Sequence, residues 1–290
     1  MKTAGFTFVR NAIKFDYPVS ESILSILPLC DEMIVAVGNS EDKTLDLIKS
    51  IPSSKIRIIQ TTWDDSIREG GSVLAIETNK AFEAISNDCD WAFYIQADEV
   101  VHEKFHPVII SSLKKWLDDE LVEGLLFNYL HFYGSYDFTG DSRRWYRREV
   151  RIIRNDKTIR SYKDAQGFRK NNHPLKVKHI DAWIYHYGWV KPPENLQAKE
   201  ESFHRLWHDE EWMDKNIPKA DSFDYSNIDS LARFDGAHPA VMTDRIKMKN
   251  WEFDFDPTKK KFSLGSKLLY IMEKKTGWRV GEYKNYRIIK

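Results

Sequence analysis

Asp98 and Glu99 stand side by side in the segment YIQADEV, directly after a short apolar run that reads as a strand. Adjacent carboxylates at a strand end repel one another unless a cation lies near both, and a divalent metal is the simplest such cation. The same pair is also what an acidic turn opening a helix after Val100 looks like. The run Arg143-Arg144-Trp145-Tyr146-Arg147-Arg148, with Lys163 further on, offers cations that could clamp a diphosphate or a phosphorylated acceptor, and equally reads as a solvated loop. His204 and His208 lie one helical turn apart, a spacing that can hold zinc. No Glu follows His204, so the zinc-protease pattern fails and the segment reads as an amphipathic surface helix. No G-x-G-x-x-G follows the first strand and no Walker-type loop occurs, which weighs against dinucleotide-dependent and ATP-hydrolysing chemistry.

The elements that must position these residues alternate through the first hundred positions. Apolar runs at 6–9, 33–37, 56–60 and 91–95 read as strands, and the stretches 18–27, 42–50 and 72–86 between them read as helices. That alternation predicts β-α-β units around a mainly parallel sheet, with ligands bound outside the carboxyl ends of the strands, after Val9, Val37, Gln60 and Ile95. Beyond residue 100 a helix at 107–117 and a strand at 125–132 lead into a polar loop over 134–148. Further strands follow at 150–154 and 179–187. Pro192 and Pro193 mark a soft boundary, after which the chain turns helical and charged.

Across 290 residues, Lys plus Arg and Asp plus Glu balance at 44 each, so nothing in the bulk charge commits the chain to nucleic acid. The two cysteines, Cys30 and Cys89, suit a reducing compartment and form neither a disulfide framework nor a zinc cluster. The N-terminal segment is not a signal-peptide pattern, and no run approaches the ~20 apolar residues of a membrane span. A cytoplasmic protein is expected. The segment from Lys259 is rich in Lys and Arg with apolar residues between them; it reads as a helix packed on the main domain or as a basic amphipathic helix lying on the inner face of a membrane.

With these parts in order, residues 4–190 resemble the family 2 glycosyltransferases of the GT-A fold. The resemblance rests on FVRN at Phe8–Asn11, VGNSEDKT from Val37 to Thr44, Asn79, the Asp-Glu pair after the fourth strand, and WIYHYGW from Trp183 to Trp189. It implies a GT-A-like, Rossmann-type catalytic domain over 1–190, with a nucleotide-sugar-binding half at 1–100 and an acceptor half at 101–190. A helical, basic C-terminal extension occupies 191–290. It further implies a metal-dependent, inverting hexosyl transfer from a nucleotide-sugar donor to a glycan or lipid-linked saccharide, as in surface-polysaccharide synthesis. Asp98, Glu99 and His186 would hold Mn²⁺ or Mg²⁺ on the diphosphate, where such ions favour carboxylates plus phosphate oxygens. Arg10, Asn11, Asn39, Asp42 and Asn79 would hold the nucleotide, and Asp164 would deprotonate the acceptor, with Glu149 the second choice. The chain departs from the family pattern at Gln96 and Gly38, where acidic residues are usual. Those departures keep open a catalytically silent nucleotide- or glycan-binding relative, beside another nucleotide-donor transferase.

Overall fold

The computed structural model describes residues 1–217 and 220–290. The first third alternates β1 (Thr3–Val9), α1 (Val19–Ile26), β2 (Glu32–Val37), α2 (Thr44–Lys49), β3 (Ile56–Gln60), α3 (Ser72–Glu83) and β4 (Trp91–Tyr94). Next come β5 (Glu99–Val101), α4 (His106–Lys115), β6 (Gly124–Tyr133), β7 (Ser135–Gly140), β8 (Arg148–Arg154), β9 (Ile159–Tyr162), β10 (Gly167–Lys170) and the long β11 (His173–Trp189). The last hundred residues carry α5 (Pro193–His204), α6 (Glu210–Asn216), β12 (Leu231–Arg233), α7 (Thr243–Lys247), α8 (Leu264–Thr276) and β13 (Tyr286–Ile288).

This is the expected α/β architecture, a sheet flanked by helices. Strand order is β3-β2-β1-β4-β8-β6-β11-β10-β9. The first four strands are mutually parallel, β8 runs antiparallel to both β4 and β6, and β6 is parallel to β11. The continuous apolar sequence of β2 suits a strand covered on both faces. Met33, Val35 and Val37 pack with Ile23 and Ile26 of α1 and Ile109 of α4, while Ile34 and Ala36 pack with Ala81 and Phe82 of α3. Period-2 alternation thus feeds two cores on opposite faces of one sheet.

Two local expectations give way. The segment after Asp98 does not open a helix: Glu99–Val101 pairs antiparallel with β11, setting Glu99 opposite His186. The polar stretch after Gly134 is partly strand, because Tyr136 and Phe138, two apart, are both buried, and β7 bridges β6 to β12. The C-terminal residues return to the sheet, where β13 pairs with Leu175–Val177 of β11. Arg143 and Arg147 point to this tail, donating to Glu273 and Glu282, and so do not form a phosphate clamp.

Candidate active site

A cavity of about 710 Å³ opens at the carboxyl ends of β1, β3 and β4, and Asp98, His186, Asp164 and Lys199 all line it. Residues 96–99 form a tight turn closed by the Glu99 N–H donating to the Gln96 carbonyl at 3.0 Å. Ser22 of α1 donates to the same carbonyl at 2.8 Å, and the Tyr187 N–H donates to the Asp98 carbonyl at 2.8 Å. Asp98 is thereby fixed between two strands and is only 8% exposed. Its Oδ2 lies 3.2 Å from Lys199 Nζ and 3.7 Å from His186 Nε2. Burial is the largest single influence and opposes the charge on Asp98, but Lys199, His186 and Lys191 together outweigh it and hold the carboxyl well below its ordinary range. Gly188 permits this approach, since a Cβ there would sit 2.7 Å from both Asp98 Oδ2 and His186 Cε1. The His-Tyr-Gly element of the sequence therefore has a steric reason for its glycine.

His186 and His131 are register partners on β11 and β6, and their Nδ1 atoms lie 3.2 Å apart. His131 Nε2 faces the Tyr146 carbonyl at 2.8 Å, which can only accept. His131 must therefore donate through Nε2 and accept at Nδ1, so His186 donates from Nδ1 and keeps its lone pair on Nε2. Burial depresses the pKa of both rings, consistent with two neutral imidazoles.

Glu99 corrects the sequence reading. Its carboxylate is turned away from the cavity with no exposed surface, and Arg151 donates to it twice, Nε to Oε2 at 2.8 Å and NH2 to Oε1 at 2.7 Å. The Tyr129 hydroxyl at 2.6 Å and the Gln96 N–H at 3.1 Å complete its shell. Glu99 has no lone pair to spare for a metal. Asp98 already carries an ammonium, Lys199 Nζ at 3.2 Å from its Oδ2. The set Asp98, Glu99 and His186 is therefore not assembled as the sequence suggested: Glu99 faces away from the cavity and Asp98 is paired with Lys199, while His186 Nε2 stays 3.7 Å from Asp98 Oδ2.

Where β1 ends, Arg10 and Asn11 line the cavity. Arg10 is braced by the Asn39 carbonyl at 3.2 Å and by Asp65 at 3.1 Å, and Asn11 Oδ1 accepts the Glu41 N–H at 2.7 Å. Asn39 itself accepts the Trp63 N–H at 3.0 Å, which makes it a brace for that loop. Asp42 and Asn79 have structural work in place of ligand contacts. Asp42 accepts the backbone N–H groups of Ile13, Lys14 and Thr44, tying the turn after β1 to the turn after β2. Asn79 bonds both backbone groups of Ser161 at 3.1 and 2.8 Å, stapling α3 to β9. Sequence reading missed Trp63. Its indole lies where a side chain at Gly38 would be, 2.5 Å from an added Cβ, so an aromatic ring stands where the sequence resemblance called for a carboxylate.

Asp164 lines the cavity beside Gln166, whereas Glu149 lies behind the wall. Glu149 accepts from Gln166 Nε2 and from Asn285 Nδ2, both at 2.9 Å, so the C-terminal tail supports the wall from behind. Lys199 was also missed; its i, i+3 spacing from the buried Leu196 of α5 is the signal that could have found it.

No family model matches the chain, and no curated protein does. Among solved structures, residues 1–349 of S. aureus TarS in complex with UDP align at 13% identity over 70% of this chain and 64% of that one, with TM-score 0.39. Glucosyl-3-phosphoglycerate synthase from Mycobacterium tuberculosis, in complex with Mn²⁺, UDP and glucosyl-3-phosphoglycerate, aligns at 20% identity over 46% and 45%, with TM-score 0.32. A 4-diphosphocytidyl-2C-methyl-D-erythritol synthase from Anaerococcus prevotii aligns at 11% over 53% and 71%, with TM-score 0.34. The alignment spans less than two thirds of the TarS fragment. Likenesses this distant carry no argument about activity, which must come from the cleft.

Two outcomes are expected. Arg151→Met leaves a buried, unpaired Glu99 and should cost about 3–5 kcal/mol in urea unfolding. Glu149 is the pH-sensitive group: burial raises its carboxyl to about 7. Between the unfolded value of roughly 4.3 and that value, the folded chain holds a proton that the unfolded chain has lost. Its contribution therefore falls as pH rises through this window and is level above it. Glu149→Gln should melt increasingly above wild type from roughly pH 5 to pH 8; a constant gap would contradict the assignment.

Proposed function

We propose that this chain transfers a glycosyl group from a nucleoside-diphosphate sugar to a hydroxyl acceptor, with inversion. The observation that carries the reading is one cleft, at the carboxyl ends of parallel strands, holding an ammonium, a buried carboxylate–imidazole pair and a separate carboxylate, Asp164. Arg10, Asn11 and the Trp63 ring border the nucleoside end. Asp164 accepts the proton from the acceptor hydroxyl as its oxygen attacks the anomeric carbon, and the bonding pair to the diphosphate oxygen leaves with the diphosphate. Tyr146 and Trp189 line the same cavity and offer apolar ring faces to a hexose.

The test is a melting-temperature panel of nucleoside diphosphates. A nucleotide that binds only the folded chain stabilises it by roughly 2.7 kcal/mol at a hundred times its Kd. Asp164→Asn should keep that rise while sugar-donor turnover drops roughly 10²–10⁴-fold. If no nucleoside diphosphate raises the melting temperature at millimolar concentration, the reading fails.

A lipid-linked acceptor is supported by α8. Leu264 is 85% and Leu268 70% exposed, none of the helix's residues is buried, and Lys267, Lys274 and Lys275 flank the apolar side chains. No described helix is long and apolar enough to cross a membrane. Lying on an anionic surface is the role that suits α8. Leu264→Glu with Leu268→Glu should abolish co-sedimentation with phosphatidylserine vesicles and leave melting unchanged. Sedimentation equal to wild type would remove the membrane contact. Deleting the tail is a poor test, because Asn285 and β13 would go with it.

A further inference from the structure

We infer that Lys199 is the cation that meets the donor's diphosphate in this cleft, so that donor binding requires no divalent metal. The inference rests on the nucleoside-diphosphate reading of the cavity and goes beyond it. In the metal-assisted transfer that the sequence resemblance implies, a dication would sit against the carboxylate at the end of the fourth strand. Here that carboxylate is Asp98, and the space at its Oδ2 is taken by Lys199 Nζ at 3.2 Å, with both side chains almost wholly buried at 13% and 11% exposed. The neighbouring carboxylate is no alternative, since Glu99 is saturated by Arg151 and Tyr129. A dication at Asp98 would have to displace the ammonium or sit against it, like charge on like in a buried site.

Lys199 is also built to hold its position. It projects from α5, which starts at Pro193 directly after β11, and its Nζ donates to the Gly188 carbonyl at 3.0 Å. The Tyr17 ring lies 5.3 Å from the nitrogen. An ammonium has three N–H donors. Asp98 and Gly188 take two, and the third is left for the cavity that the residue lines. Lysine binds phosphate as a point charge, and one already fixed by protein dipoles needs no reorganisation as charge develops. Arg10 and Arg68 line the cavity as well, paired with Asp65 and Glu210, and would add to the positive field that Lys199 supplies beside Asp98. In the transfer step the acceptor O–H proton passes to Asp164, the acceptor oxygen bonds the anomeric carbon, and the bond to the diphosphate oxygen breaks. The negative charge then left on that diphosphate faces Lys199.

The experiment is calorimetric titration of the nucleoside diphosphate with the largest melting shift, in EDTA and in Mn²⁺. Wild type should bind with affinities within about threefold of each other, less than the tenfold that 1.4 kcal/mol represents. Lys199→Met should bind at least about tenfold more weakly in EDTA, and Lys199→Arg, which keeps the charge, should bind within that margin of wild type. Ligand-free melting of both variants reports folding independently. Asp98→Asn should retain binding in EDTA, because it frees the ammonium, whereas a metal ligand at Asp98 would make the same change abolish binding. Binding by wild type only in Mn²⁺, or loss in Asp98→Asn, overturns the inference and leaves the nucleotide reading intact. No binding in either condition means that the proposed function itself fails, and the inference with it.

Discussion

Two charged side chains with no exposed surface, Glu99 and Arg151, tie together the turn that carries Asp98, the segment after Asp164 and the central strand β6. Glu99 begins β5 and accepts the N–H of Gln96, which holds the turn that carries Asp98. Arg151 lies on β8 and donates to the Gln166 carbonyl at 3.0 Å, fixing the segment that follows Asp164. Tyr129 of β6 closes the group from the third side. Burying both charges costs several kcal/mol per ion before any attraction is counted, and four hydrogen bonds on one carboxylate are what make the arrangement tolerable. Remove one partner and the turn, the cleft wall and the central strands lose their common anchor together.

The parallel half of the fold was legible because its strands are continuous apolar runs separated by helical patterns, and each expected strand up to Trp91 lies within a few residues of its observed bounds. The short strands were not. β5, β9, β10 and β12 have only three or four residues each, too few for periodicity to stand out. The candidate site divides along the same line. Asp98 and His186 follow from position at the end of a strand and within a motif, and the cleft does bring them together. Glu99, Asp42 and Asn79 carry the right chemistry in the right place along the chain, but direction decides their role, and direction depends on partners such as Arg151 and Ser161 that are far away in sequence. Arg151 left a readable trace, an arginine between Val150 and Ile152 in a strand of buried residues, which calls for a buried anion. Lys199 left less, since its partner Asp98 is 101 residues away and α5 is otherwise a charged helix.

The departures from the family pattern become coherent once charge is counted around the cleft. At position 38 a glycine makes room for Trp63 where a carboxylate is usual. At position 96 a glutamine amide reaches the Tyr94 hydroxyl at 3.3 Å and the Ala165 carbonyl at 3.5 Å, holding the segment next to Asp164 where a second metal-side acid is usual. The change at position 96 leaves no second acid beside the turn that carries Asp98, and Lys199 sets a positive charge against Asp98. A metal site relies on an excess of carboxylates, which stays costly until the ion arrives. Pairing one acid with one ammonium avoids that cost, and on the proposed reading a diphosphate would meet a cation already in place. Gln96 and Lys199 thus read as two parts of one electrostatic arrangement around Asp98, while Gly38 answers to the packing of Trp63.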